Sequence, residues 1–251
     1  MARRLTDIEN EIRSREKEFV PFLKNLLEKE VYDFLTQLKK LGPTYLFSGI
    51  IRDFFLGYDE IRDVDIMIHT NKDISTLLSK FKHRKNSFGG FKIYIANTVI
   101  DLWYLQDTWG LKAKKVMELD LVGEIPKTAF FNFSAILFSF KNKNFIYTKH
   151  FLRFLRDRKI DYVFAPNANK ALCVVNTFYY RDKLKLPIAD RLKLYLKKLD
   201  ISNYSEYENV QLKHFGKVLY SVEFLRREIK NMVVEQRKRA TNKTNIHPEL
   251  F

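Results

Sequence analysis

Residues 45–69, Y-L-F-S-G-I-I-R-D-F-F-L-G-Y-D-E-I-R-D-V-D-I-M-I-H, constrain this chain more than any other stretch. Tyr45, Leu46 and Phe47 form an aromatic and apolar run that stops at Ser48-Gly49, a turn signal, so they read as a short strand. Residues 50–56 are apolar except for Arg52-Asp53, and Gly57 supplies the stop for a short helix. Residues 63–68, D-V-D-I-M-I, predict a second strand. Side-chain alternation then sends Asp63 and Asp65 to one face and Val64, Ile66 and Ile68 to the other. Two carboxylates on one side of a strand repel each other unless a cation lies between them. A few hard oxygen ligands, with phosphate supplying the rest, are what Mg²⁺ takes when it sits on a triphosphate. The plainer reading of the same residues is an edge strand with a solvated acidic face.

The order of residues adds to this. Gly49, Arg52, Asp53, Leu56, Gly57, Asp63 and Asp65 fall in the sequence of a G-G-x-V-R-D-x-L-L-G segment followed by a D-x-D strand. The stretch thereby resembles the head domain of tRNA CCA-adding enzymes and bacterial poly(A) polymerases, within the DNA polymerase β-like nucleotidyltransferases. Ser48 replaces the first Gly, and the gap from Gly57 to Asp63 is one residue longer than in the family. The resemblance implies an α/β fold: a nucleotidyltransferase head, with a mixed sheet and helices, followed by an all-α region. It implies transfer of a nucleoside monophosphate from a nucleoside triphosphate to an acceptor hydroxyl, with release of pyrophosphate. Asp63 and Asp65 would hold two Mg²⁺ ions, one of them shared with a third carboxylate on a neighbouring strand. Asp101 is the candidate for that position, as the one charged residue in the apolar run V-I-D-L-W-Y-L. A carboxylate in such a strand needs a partner, which is a Lys or Arg on the structural reading and the metal on the functional one. Ser48 and Gly49 would present donors to the triphosphate. Arg52 would add charge to the phosphates or pair with Asp53 to brace the turn.

Charge separates the chain into two parts. Residues 1–140 carry 21 Lys and Arg against 19 Asp and Glu, whereas residues 141–251 carry 24 against 11. A lysine-rich composition would raise the total of +15 but not this asymmetry, and a nucleic-acid backbone is the natural counter-charge. The expected division is a nucleotidyltransferase head over 1–140, a basic helical region over 141–240 and a flexible basic tail over 241–251. RNA, specifically a tRNA-like 3′ end, is the expected acceptor. Arg153, Arg156, Lys170, Arg181, Arg226 and Arg227 are the candidate contacts to it, with aromatic residues interleaved for base stacking. A single cysteine, Cys173, excludes an intramolecular disulfide and a cysteine-rich zinc site. It points to a reducing compartment, with the cytoplasm as the expectation. The N-terminus, M-A-R-R-L-T-D, has no apolar core of a secretory signal, and no stretch has the apolar length to span a bilayer, so no membrane partner is expected.

Elsewhere the period is helical. Residues 5–41 read as helix, with Pro21 in the first turn of a second segment and Gly42-Pro43 as the stop. Asn71 or Asp73 caps a short helix through Ile74, Leu77, Leu78 and Phe81. Residues 91–98 and 99–105 read as two strands around Ala96-Asn97. Trp103 and Trp109 are read as packing residues before base-stacking ones, and Lys112, Lys114 and Lys115 as a solvated face. Residues 150–158 read as a short basic amphipathic helix. Pro166 opens a long helix, Pro187 and Asp190 start another, and two more run to about residue 239.

Two motifs of the resembled family are absent. Phe131, Ser134 and Ala135 can be laid on F-T-I-N-A, but the preceding R-R-D falls on Thr128-Ala129-Phe130. That triplet senses the ribose in the family, so ribonucleotide preference is not implied here. The base-selecting E-D-P-x-R segment retains only its proline in Phe164-Ala165-Pro166-Asn167-Ala168. These absences favour, as alternatives, a nucleotidyltransferase acting on a protein or small molecule in a toxin or defence setting, or a non-catalytic RNA-binding relic of the fold.

Overall fold

The computed structural model describes residues 3–59, 63–86, 89–114, 120–166 and 169–232. Lys115, Asn167, Ala168, the helix expected up to residue 239 beyond 232, and the tail 241–251 lie outside the described residues. The chain divides after Asp157 into two compact units. The boundary expected at 140 falls within the turn joining the last two strands of the sheet, so the first unit extends past it.

Three helices open the first unit: α1 (Leu5–Ser14), α2 (Glu16–Leu26) and α3 (Lys29–Leu41). Pro21 lies inside α2, not in its first turn. A proline there withholds one N–H from the carbonyl of Lys17. Both residues are exposed, so water can satisfy that carbonyl. Strand β1 (Thr44–Phe47) leads into α4 (Gly49–Leu56), which ends at Gly57 in the left-handed conformation at φ +77°, as a glycine C-cap should. Next come β2 (Asp63–Ile68) and α5 (Ser75–Leu78), where Asp73 accepts from the backbone N–H of Ser75 at 2.8 Å. Strands β3 (Lys82–Lys85), β4 (Phe91–Ile95) and β5 (Thr98–Tyr104) follow. After the short helices α6 (Trp109–Lys114) and α7 (Leu121–Glu124), strands β6 (Ile136–Ser139) and β7 (Asn144–Tyr147) complete the sheet, and α8 (Lys149–Asp157) closes the unit.

The seven strands lie in the order β3-β4-β5-β2-β1-β6-β7. Only β2 and β5 pair in parallel; the other five pairings are antiparallel. Val64, Ile66, Ile68, Ile100 and Leu102 are fully buried on one face of this sheet. There an aromatic cluster joins helices to strands: Phe19 of α2 lies 5.1 Å from Phe54 of α4, 4.7 Å from Phe138 of β6 and 5.0 Å from Phe145 of β7, ring centre to ring centre. On the opposite face, Tyr45, Met67 and Leu137 pack with Leu105, Leu111 and Ile125, so α6, α7 and their connections cover that face at the Met67 end. The other end of β2, bearing Asp63 and Asp65, is only half-buried.

Strand β3 was not predicted. Its sequence, K-H-R-K, has no apolar residue and all four side chains are exposed. It is held by its ladder to β4 alone, at the sheet edge, where charged residues discourage further pairing.

The second unit is helical, as expected. It contains α9 (Lys170–Leu184), α10 (Asp190–Lys197), α11 (Tyr204–Phe215) and α12 (222–232). Val174, Phe178, Leu192, Leu196 and Leu225 are fully buried. Asn169 caps α9, accepting from the N–H of Leu172 at 2.8 Å, so this helix begins four residues after the expected Pro166. Asn203 caps α11 in the same way. Burial pushes the thiol of Cys173 up to about 12, which leaves it protonated and unreactive at neutral pH.

The Phe19 cluster ties α2 and α4 to the sheet. Phe19→Ala removes a fully buried ring from it and is expected to lower stability by about 3–5 kcal/mol. Urea unfolding followed by circular dichroism would show this as a lower midpoint; an unchanged midpoint would mean that the cluster repacks without loss.

Candidate active site

Register brings the three carboxylates to one face. In the parallel β2–β5 pair, Asp65 stands directly beside Asp101, and Asp63 beside Val99. Registered neighbours point the same way, so Asp63, Asp65 and Asp101 share the face opposite Val64, Ile66, Ile100 and Leu102. On the other side of β2, Phe47 is the partner of Asp65. Because β1 runs antiparallel to β2, its exit at Ser48-Gly49 lies toward the Asp63 end. The turn and the carboxylates are thus neighbours by topology.

The turn itself is strained and tied. Ser48 has φ +62° and ψ −103°, a backbone region that glycine enters freely and serine does not. This is the position where the resembled family carries Gly. Two bonds hold it: the hydroxyl of Ser48 meets that of Ser134 at 2.7 Å, and its N–H donates to the carbonyl of Ile136 at 3.3 Å. The Ser134 link anchors the F-N-F-S segment to the turn, which sequence spacing alone did not reveal. A Cβ built on Gly49 would meet no atom of the protein within 4 Å.

Arg52 and Asp53 lie beneath this turn as a fork. The Arg52 Nε–H donates to Asp53 Oδ1 at 2.7 Å, and Nη2 donates to Oδ2 at 2.8 Å. Both residues are buried, at 4% and 7% exposure. The guanidinium also stands over the Phe133 ring at 5.3 Å. Of the two arrangements open to Arg52 from sequence, the pair with Asp53 is formed in this structure.

Asp101 has the cationic partner that its apolar strand demanded. Lys92, registered opposite it on β4, places Nζ 3.0 Å from Asp101 Oδ2. The strand pattern carried this signal, since a two-residue turn at Ala96-Asn97 pairs Ile95 with Thr98 and hence Lys92 with Asp101. One strand further out, Arg84 is registered opposite Lys92 and donates to the Tyr94 hydroxyl at 3.3 Å. Its charge is close enough to feel Asp101 as well. Across four strands the face therefore reads Arg84, Lys92, Asp101, Asp65. Trp103 sits beside Phe47, edge to face at 6.3 Å, with its indole N–H on the Thr108 hydroxyl at 3.0 Å, and so packs the floor next to the carboxylates.

This donor set is hard oxygen and suits Mg²⁺ rather than a soft metal. Among the described residues, no three His, Cys, Asp or Glu side chains are grouped closely enough to cage an ion by themselves. An ion on this face would draw most of its ligands from phosphate and water, the usual state of Mg²⁺ bound with a nucleotide.

The proposed RNA contacts differ in what they already hold. Arg153 is exposed on α8, while Arg156 pairs with Asp157 at 2.6 Å. In the second unit, Arg181 bonds Asp182 at 2.7 Å and Glu228 at 2.6 Å. Arg226 donates to the carbonyl of Ile201 at 2.7 Å and to the Tyr204 hydroxyl at 3.2 Å. Arg227 is exposed beside Phe224, and Lys170 is exposed at the start of α9.

No protein-family model matches the sequence, and no curated protein matches it. Solved structures match by fold. A CCA-adding enzyme in complex with ATP superposes with a TM-score of 0.63 at 14% identity, covering 84% of this chain and 54% of that one. The Thermotoga maritima CCA-adding enzyme complexed with tRNA gives 0.58 at 14% identity, covering 86% and 54%. A tRNA-processing enzyme with CTP gives 0.53 at 15% identity, covering 77% and 54%. The chain spans about half the length of these proteins. The architecture is thus α/β, a mixed sheet with helices followed by an all-α region. Within that class it has the fold of the CCA-adding enzymes and tRNA nucleotidyltransferases, in a divergent sequence. No helix among the described residues is long and apolar enough to cross a membrane.

The Arg52–Asp53 fork supplies a direct test of the brace. Asp53→Asn keeps the shape but removes the negative charge that the buried guanidinium holds with two hydrogen bonds, at an expected cost of about 3 kcal/mol. Chemical denaturation would detect the loss; a variant as stable as the parent would mean that the fork does not support the turn.

Proposed function

We propose that this chain is a Mg²⁺-dependent nucleotidyltransferase that moves a nucleoside monophosphate from a nucleoside triphosphate to an acceptor hydroxyl, with an RNA 3′ end as the acceptor. One observation carries the reading: Asp65 and Asp101 stand side by side on the half-buried end of a sheet face, with Asp63 on that face and the Ser48–Gly49 turn adjacent. The shared fold with enzymes solved in complex with ATP, CTP and tRNA supports it.

Asp63 and Asp65 would hold Mg²⁺ with the triphosphate, and Asp101 would lie on the acceptor side of the same face. Bound there, Mg²⁺ supplies charge neutralisation for the triphosphate and for the developing negative charge. The remaining tasks fall to the chain. The Gly49 backbone, at the start of α4, offers its N–H and a helix N-terminus to phosphate oxygens. The Arg52–Asp53 fork keeps that turn in place. Asp101 receives the acceptor hydroxyl and accepts its proton as the oxygen bonds to the α-phosphorus. The bond from that phosphorus to the bridging oxygen breaks, and its electron pair leaves with pyrophosphate. An RNA acceptor fits the excess of positive charge after residue 140. The absent R-R-D and E-D-P-x-R motifs favour, as the second reading, transfer to a protein or small molecule.

Loss of those motifs also bears on base choice. A good bidentate base contact discriminates by about 1–3 kcal/mol, and Phe164 and Ala165 cannot make one. The expected product is therefore a tail of one preferred nucleotide, or of several used loosely. Each labelled nucleoside triphosphate would be incubated with Mg²⁺, total RNA, cell protein and a tRNA ending just before its C-C-A. Label in RNA supports the acceptor assignment, label in protein supports the second reading, and no label in any fraction rejects transfer. An accurate, self-terminating C-C-A end would overturn the specificity argument.

Gly49 tests the phosphate contact separately. Because its Cβ would touch no protein atom, Gly49→Ala should leave the urea midpoint unchanged or slightly raised. A phosphate that approaches the backbone would meet the methyl group, and nucleotide affinity should fall about tenfold, or about 1.4 kcal/mol. Unchanged affinity by calorimetry would move the triphosphate away from this turn.

A further inference from the structure

Lys92 is the residue in direct contact with a candidate catalytic carboxylate for which the reaction above has no role. Its position is not accidental to a loose surface side chain. The β4–β5 register fixes its backbone directly opposite Asp101, and the ammonium lies 3.0 Å from Oδ2 in a partly buried setting, with 28% and 21% of the two side chains exposed. The pair belongs to the same row as Asp65. Two-ion phosphoryl-transfer sites place their cations roughly 3.5–4 Å apart, each touching carboxylate. A second divalent ion drawing on Asp101 would therefore come within a few ångströms of a resident positive charge. Beyond Lys92 on the same flank, Arg84 on the next strand adds a second positive charge within electrostatic reach of Asp101. Four methylenes on a backbone fixed by the ladder let the ammonium shift, but not leave the neighbourhood.

We propose that Lys92 supplies, as a fixed ammonium on Asp101, the charge that a second divalent ion supplies in a two-ion site, so that this chain takes a single divalent ion with its nucleotide. Lys92 acts through Asp101 and is a positioning residue: it holds the carboxylate in place and balances its charge beside the acceptor hydroxyl. The inference rests on the nucleotidyltransferase reading, and narrows it from two ions to one ion and a lysine.

Counting ions tests it without relying on turnover. The full chain would be dialysed to equilibrium against Mn²⁺ and α,β-methylene-ATP, whose bond at the site of cleavage is inert, and both retained Mn²⁺ and retained nucleotide would be measured. The wild-type chain is expected to retain one Mn²⁺ for each nucleotide. Lys92→Met keeps the apolar stem, removes the charge and should retain two; Lys92→Gln is a second neutral variant should the first fold poorly by circular dichroism. Lys92→Arg keeps the charge and should return the count to one. Two ions per nucleotide in the wild-type chain, or one in both neutral variants, would overturn the role of Lys92 while leaving the nucleotidyltransferase reading intact. Retention of neither ion nor nucleotide by any form would overturn both, and is a distinct result.

Discussion

The parallel pairing of β2 with β5 is the constraint on which the rest of the site depends. A strand has a side-chain period of two, so a slip of one residue would turn every side chain of β2 to the other face. Asp63 and Asp65 would then enter a layer where Val64, Ile66, Ile68, Ile100 and Leu102 are fully buried, and the desolvation of two unpaired carboxylates makes that register prohibitive. Apolar burial on one face thereby sets the position of charge on the other. The crossover between the two strands carries the β3–β4 hairpin, and this is why the same chain that aligns Asp65 with Asp101 also delivers Lys92 and Arg84 beside them.

The turn before α4 is held by forces of another kind. Ser48 occupies a backbone conformation of the sort that costs about 1–3 kcal/mol for a residue other than glycine. Its bonds to Ser134 and Ile136 come from a segment more than eighty positions later in the chain, and the buried Arg52–Asp53 fork lies one helical turn along. A strained turn supported from several directions keeps its backbone in place without needing a ligand to shape it. Such preorganisation is what phosphate binding by backbone N–H groups requires.

What was legible in the sequence follows from how local each signal is. Alternation in D-V-D-I-M-I identified β2 and its two faces, and the Ala96-Asn97 turn identified the β4–β5 hairpin, because strand period and turn chemistry act over a few residues. The K-H-R-K strand was not legible: it owes its conformation to backbone bonds with β4, and none of its side chains carries the pattern of a buried face. The helix period located residues 5–41 but gave no reason to place the breaks near Arg15 and Leu27 rather than at Pro21. Arg52 left two roles open because its immediate neighbour, Asp53, is a carboxylate that a free guanidinium could either pair with or leave. Burial favours the pair: with little water to solvate either charge, a carboxylate beside the guanidinium offsets part of the desolvation cost of both.

The same reasoning changes what the positive charge of the second unit means. Counted by sequence, residues 158–251 carry 19 Lys and Arg against 10 Asp and Glu. In the structure Arg181 already bonds Asp182 and Glu228, and Arg226 is bonded to a carbonyl and a phenol. A cation in such a pair can meet a phosphate only by giving up its partner, exchanging one anion for another. Its contribution to binding is then the difference between two contacts. Exposed cations such as Lys170 and Arg227 exchange water and loosely held ions instead, and each phosphate they neutralise releases about 0.7 of a counterion from a single strand. The helices that pack on Val174, Phe178 and Leu225 thus use part of the unit's charge to fix their own geometry. The attraction of this unit for a polyanion is set by the part left at the surface, not by the total.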